Sequence, residues 1–288
     1  MPPRSLMVPV LRCLRPLRWM AMAGALVLVA AAESAHAVTV SPTALYISAR
    51  NPSALLTLIN SGNRPEEVEI GFGFGYAGFD TTGAIRVTVL DSAPAGEPAV
   101  TSWLRAFPRR LLLQPGQRQV VRITVVAPPG LSDGEYWGRV LVKSRGGEPP
   151  IEQAQGQVRM QLNVETTFAT AVFFQKGDLT TAMTVRAAAA RRVGDAVEFT
   201  IDLQREGSAA FLGRVDAEVF DAAGRKWAEI EDVTAVYRSL RRRFVIRGTT
   251  PMPSGPLNVR YLVDTERPDL PSTGPIHAAP VSGSVAVQ

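Results

Sequence analysis

The chain has 288 residues, 46% of them hydrophobic and 20% charged, with a formal net charge of +5. That balance excludes a disordered chain and leaves room for two domains of ordinary size. With one cysteine and two histidines in the whole sequence, a disulfide scaffold and a thiolate metal centre are excluded as well.

The N-terminus is read first, because it changes the remaining counts. Arg4, Arg12, Arg15 and Arg18 form a positive stretch, Met20 to Ala32 an apolar one, and Ala35-His36-Ala37 a small-x-small cleavage site. Residues 1–37 are therefore expected to be a signal peptide cut after Ala37, leaving Val38 as the mature N-terminus and the protein in the periplasm. The apolar run is short for a spanning helix, and no later stretch approaches the length a membrane span needs, so no stable membrane insertion is expected after cleavage. Cys13 and His36 leave with the signal. So do four arginines and one glutamate, which lowers the formal charge from +5 to +2. The basic character thus belongs largely to the precursor, and nucleic acid is not an expected partner.

From Val38 onward the chain reads as short strands split by turns. Val38 to Val40 and Ala44 to Ser48 flank Ser41-Pro42. Ala54 to Ile59 closes on the turn Asn60-Ser61-Gly62-Asn63-Arg64-Pro65, and Glu67 to Phe74 alternates again. A polar link leads to Ser102 to Phe107, Arg110 to Leu113, the turn Gln114-Pro115-Gly116-Gln117, and Gln119 to Val126. Glu135 to Lys143 follows. Then come Arg145 to Gly156, rich in Gly, Pro, Gln and Glu, whose composition predicts a mobile loop without structure.

The run from Gln157 to Phe174 organises the first half. Val158, Met160, Leu162 and Val164 alternate with Arg159, Gln161, Asn163 and Glu165, the period of a strand with one apolar and one polar face. A long alternating strand fed by a mobile loop can be offered to another molecule; it can equally be an ordinary strand of the protein's own sandwich.

Gln175-Lys176-Gly177-Asp178 marks a domain boundary. Beyond it Ala182 to Ala188, Ala196 to Gln204, Gly213 to Asp221, Lys226 to Glu229, Tyr237 to Arg247 and Pro256 to Val263 are strand candidates. Ala187 to Arg192 has helix propensity but is too short to stand alone and is read as the end of a strand. The tail from Arg267 is rich in Pro and Ser, with a last strand at Val281 to Val287. Regularly spaced strands without intervening helices predict an all-β protein of two tandem immunoglobulin-like β-sandwich domains, 38–175 and 176–288.

Motifs that look like chemistry do not survive their context. Gly73-Phe74-Gly75-Tyr76-Ala77-Gly78 matches a dinucleotide fingerprint, but turn residues follow where a helix N-terminus is needed. Leu270-Pro271-Ser272-Thr273-Gly274 matches a wall-sorting signal without the apolar tail and basic end that such a signal carries. Arg238 to Arg243 is the densest basic cluster and reads as a solvated strand edge. His277 is the one histidine of the mature chain, and no nucleophile–base set, metal cluster or carboxylate pair can be assembled. No enzyme, no cofactor and no metal site are expected.

The chain resembles the periplasmic chaperones of pilus and fimbria assembly. Val38-Thr39-Val40-Ser41-Pro42-Thr43 is similar to that family's first strand and Leu56-Thr57-Leu58-Ile59-Asn60-Ser61-Gly62 to its second. Residues Pro108 to Ile123 resemble its apolar, Pro-Gly and basic hairpin, Gly134-Glu135-Tyr136-Trp137 the start of the strand before its flexible loop, and Val158 to Phe174 its donor strand. The resemblance covers residues 38–175. It implies a chaperone that completes a pilin or coat subunit by donating a strand and delivers it to an outer-membrane usher, with Val158, Met160, Leu162 and Val164 as the inserted residues. The family also grips the subunit's terminal carboxylate with an Arg and a Lys, whose positions align with Ala44 and Ala171. Arg50, Arg159 and Lys176 are the candidate replacements. The alternative is a structural or adhesion module of the envelope that uses its strand edges without delivering subunits; a carbohydrate-processing enzyme is a more distant third.

Overall fold

A computed structural model describes residues 38–80, 82–146 and 165–288 in full and the backbone of 151–155 and 158–162. The signal peptide expected at 1–37, and Val164, lie outside the described residues. Twenty strands and one single 3-10 turn make up the described regular structure, which is all-β. They form two tandem sandwiches of the immunoglobulin-like type, with no sheet ladder joining one to the other.

The first sandwich opens with β1 (Val38–Ser41), which pairs with β3 (Ser53–Asn60). Pro42 has no N–H to continue that ladder. The chain crosses there to the opposite sheet as β2 (Ala44–Ser48), parallel to the strand that ends the sandwich. Next are β4 (Glu66–Gly73), a small hairpin of β5 (Ala77–Phe79) and β6 (Ile85–Val87), then β7 (Leu104–Phe107), β8 (Arg110–Leu113) and β9 (Arg118–Val125). The long β10 (Gly134–Gly146) leads to β11 (Ile151–Gln155), β12 (Val158–Leu162) and β13 (Glu165–Lys176). One sheet has the order β1-β3-β9-β7, the other β2-β13-β10-β4-β8.

Alternation decides which side chains meet between these sheets. Leu56, Leu58, Val121 and Ile123 come from one face, Val140, Val142, Val172 and Phe174 from the other, and all eight are buried in one core. Each such side chain contributes about 1.5–3 kcal/mol of burial before ordering costs. Asn60, fully buried, is kept satisfied by donating from Nδ2 to the carbonyls of Arg64 (2.7 Å) and Leu113 (3.0 Å), which pins the turn predicted at 60–65.

The second sandwich comprises β14 (Thr181–Val193), β15 (Ala196–Gly207), β16 (Phe211–Asp221), β17 (Lys226–Val236), β18 (Ser239–Ile246), β19 (Leu257–Asp264) and β20 (Val281–Ala286). The sheet β14-β15-β18 packs on β17-β16-β19-β20 around Phe199, Ile201, Leu203, Phe211, Val215 and Phe244. Phe199 and Phe244 stack at 6.0 Å between ring centres.

Three expectations need correction. Residues 145–156 were expected to be a loop without structure, yet Ile151–Gln155 form a strand opposite β12, in register from Ile151↔Leu162 to Gln155↔Val158. An extended β12 offers its backbone groups to the returning leg, and that pairing outweighs a composition poor in strand formers. The polar link after Phe74 contains the β5–β6 hairpin, built on Asp80, whose Oδ1 accepts from the Thr82 and Ala84 N–H groups at 2.9 and 3.1 Å. The strand expected to end at Glu229 runs on to Val236, because β16 pairs with it along its whole length. Ala187 to Arg192 do lie inside a strand, β14, despite their helix propensity.

Candidate functional site: an open strand edge beside a sealed junction

The hairpin of β10 and β13 runs in register from Gly134↔Lys176 to Arg145↔Glu165. On the far side of β13, however, β2 covers only Ala171 to Gln175. Among the described residues, Glu165 to Thr170 therefore have a strand partner on one side alone. The Ala171 N–H reaches the Thr43 carbonyl at 3.1 Å, on the β2 side. By the alternation of an extended chain, the N–H groups of Ala169, Thr167 and Glu165 point to that same, uncovered side. Glu165, Thr166, Thr167 and Ala169 are exposed, whereas Phe168 packs against the first core. At the outer end Arg145 and Glu165 form an ion pair across the hairpin. Beyond it β11 and β12 continue as a two-stranded arm. Val158, Met160 and Leu162 belong to β12, while their side chains and that of Arg159 lie outside the described residues.

The family's two cationic positions fall together. Ala44 and Ala171 are opposite each other in the parallel ladder and are 5% and 9% exposed, so the place where the open edge ends is apolar and closed. Arg50 and Lys176 do come together, lining one recess of about 490 Å³ with Gln175, Gly177, Asp178 and Ile276. Lys176 Nζ there donates to Asp133 Oδ1 at 2.8 Å and to the Leu131 carbonyl at 2.5 Å, while Arg50 is exposed and has no ion-pair partner among the described residues. Lys176 lies five residues beyond Ala171, about 16 Å along an extended strand from the end of the open edge. The recess and the open edge are thus separate features of one strand.

The odd-numbered face of β13 belongs to a third apolar cluster, between the sandwiches. Ala171, Phe173, Trp137 and Ala44 meet Ala210, Leu212 and Tyr237 of the second sandwich. Tyr237 stacks on Tyr76 at 4.9 Å, meets Trp137 edge-on at 4.9 Å and lies parallel to Phe173 at 6.1 Å. Glu135 is buried beneath these rings. It accepts from Trp137 Nε1 (2.9 Å), the Ala210 N–H (2.9 Å) and Gln175 Nε2 (2.9 Å), so one carboxyl ties the two sandwiches. Burial pushes its pKa upward, and the three donors, with Arg205 nearby, pull against that rise. At the rim Arg238 pairs with Glu97 at 3.1 Å.

The segment between β19 and β20 seals this junction. Leu270 packs on the third cluster, and the Gly274 carbonyl accepts from Gln175 Nε2 at 2.7 Å. Gly274 has φ +112° and sits against Tyr46, where a Cβ would come within 2.3 Å of the ring, so only glycine fits. The stretch that matches a sorting pentapeptide is therefore a structural strap. None of its partners was legible in the sequence, because the contacts join segments far apart in the chain.

The other motifs resolve as expected. Gly73 ends β4 and Gly78 lies in β5, with no helix after them, and a Cβ on Gly75 would strike the Thr88 carbonyl at 2.3 Å. The basic cluster lies on β18, at a sheet edge, where Arg241 pairs with Asp202, Arg242 with Asp232 and Arg243 with Glu198.

No family model and no curated protein matches the sequence. Among solved structures the chain is similar to periplasmic pilus chaperones. The YadV chaperone is 14% identical, with 87% of this chain and 100% of that one covered and a TM-score of 0.46. A chain of the Salmonella enterica SafA pilin–SafB chaperone complex is 14% identical, covered 88% and 99%, at 0.44. The Pseudomonas aeruginosa CupB2 chaperone is 13% identical, covered 87% and 100%, at 0.41.

Proposed function

We propose that this protein is an exported chaperone of pilus or coat assembly, residues 38–175 forming the subunit-binding domain and 176–288 the second. It holds a secreted subunit by lending it the stretch from Val158 to Val164 with the open edge of β13 that follows, and then delivers it to an outer-membrane usher. The observation that carries the reading is the uncovered edge of β13 at Glu165–Thr170, continuous in sequence with the alternating Val158, Met160, Leu162 and Val164. A donated strand needs one edge free for backbone pairing and one row of apolar side chains for the acceptor's groove. Four inserted apolar side chains contribute on the order of 6–12 kcal/mol gross, before the ordering costs of binding. Buried Ala44 and Ala171 leave no cation at the end of that edge, so the subunit is held by strand pairing and apolar insertion rather than by a gripped carboxylate.

That same absence favours the second reading, an envelope module that uses its edges without delivering subunits. Capture from periplasmic extract separates the two. The tagged protein is compared with Met160→Asp/Leu162→Asp and with Ala169→Pro, which removes an outward N–H from the open edge. One small secreted subunit that co-purifies with wild type and is lost with both folded variants supports strand donation. Capture that survives both, or no capture at all, supports the second reading.

A further inference from the structure

The outward face of the sheet β1-β3-β9-β7 is basic, with no acidic side chain on its strands. Register places Leu55, Thr57 and Ile59 of β3 beside Arg122, Val120 and Arg118 of β9, with Phe107 and Arg105 of β7 beyond. Their alternate neighbours fill the core, so these side chains point to solvent; Phe107 is 80% exposed and Leu55 56%. None of the four strands contains Asp or Glu. Arg105, Arg118 and Arg122 have no acidic partner among the described residues, and Arg105 donates only to the Ser102 and Leu104 carbonyls. The face is apolar with a charge of +3.

On other faces several arginines are neutralised: Arg110 pairs with Glu69, Arg241 with Asp202, and Arg267 with Asp269. The outward face of β17-β16-β19 has the opposite surplus. Asp216, Glu218, Glu229, Glu231, Asp264 and Glu266 stand there against Arg214, Lys226 and Arg260, a net charge of −3. Arg214 reaches Asp216, Glu231, Asp264 and Glu266 at 3.2–3.5 Å, and Lys226 reaches Glu218 and Glu229. Val233, 54% exposed, and Leu262 supply apolar contact on the same face.

We infer that these two faces dock on one another between copies of this chain: the basic, apolar face of one molecule seats on the acidic face of the next, head to tail. The charges match in size and oppose in sign. With β3 and β9 eight residues long and β1 and β7 four, at about 3.3 Å per residue and about 4.8 Å between strands, the face presents roughly 380 Å² per partner, which sets a weak, reversible contact. Because the two patches differ, the contact is heterologous and propagates into rings or short rows instead of closing as a dimer.

Sedimentation of the purified protein across a concentration series tests this at roughly 0.01 M and roughly 1 M salt, where the Debye length is about 30 Å and about 3 Å. Mass should rise with concentration at low salt and stay monomeric at high salt. Arg118→Glu/Arg122→Glu and Glu229→Lys/Glu231→Lys should each abolish the association, and combining all four changes in one chain, or mixing the two double variants, should restore it. All four side chains are exposed, and unchanged melting curves verify that the variants fold. A protein that is monomeric in every condition overturns the inference. So does association that ignores the charge reversals, or an Arg118/Arg122-dependent binding to anionic phospholipid vesicles by a protein that never self-associates.

Discussion

The two sandwiches treat their sheet edges in opposite ways. In the first, among the described residues, β13 is left uncovered from Glu165 to Thr170 because β2 begins pairing only at Ala171. In the second, the outer side of β14 is covered near its end, at Ala190 to Arg192, by Val287 and Gln288. Gln288 donates to the Ala190 carbonyl at 3.0 Å and accepts from the Arg192 N–H at 2.9 Å, and Val287 donates to Leu257 at 2.9 Å. An open edge invites pairing with another chain, and natural sheets cover such edges unless the pairing is used. Part of one edge is thus covered by Val287 and Gln288, while the other lies beside an alternating strand.

The contrast can be broken most severely inside β13 itself. Thr170 is buried and faces Val140 in the ladder with β10, and its N–H points inward. Thr170→Pro should cost about 3 kcal/mol or more, through a lost ladder bond and an orphaned carbonyl, seen as a lowered urea midpoint. Removing Val287 and Gln288 should cost roughly 1.5–4 kcal/mol for three backbone bonds. It should also uncover the end of β14, so hydrogen exchange should accelerate at the Arg192 N–H while the first sandwich is unchanged. Uniform loss of protection across both sandwiches would mean that the edges are not managed separately.

A smaller effect, confined to a pH window, comes from the junction. Burial raises the Glu135 pKa above its ordinary 4.5, so the folded protein holds that proton more tightly than the unfolded chain does. This contribution is fully present below the ordinary value and is lost as pH rises from 4.5 through the raised value. Glu135→Gln should flatten that part of the stability–pH curve, measured by urea midpoints from acid to neutral pH.

The smallest change in stability sharpens the comparison most. Ala169→Pro, one residue from Thr170, removes an N–H that points away from β10, and should shift stability by less than about 1 kcal/mol. Its effect on subunit capture should nevertheless be complete. A large stability loss here would mean that the outer side of β13 is covered by the protein itself.

Sequence alone determined the strand content, most strand positions and the absence of intervening helices, because alternation, Pro and Gly act within a few residues. Pro42 splitting the first strand, the turn at 60–65 and the hairpin around Gly116 were all readable for that reason. Ala44 and Ala171 could be named from the sequence, but not that they face one another. Tertiary structure decided the rest: that β2 stops short along β13, that a strand fills 151–155, and that Leu270 to Gly274 seals a junction centred on Tyr237. Each depends on which distant backbone or ring happens to be adjacent. A residue's own sequence neighbourhood has no record of partners that lie a hundred positions away.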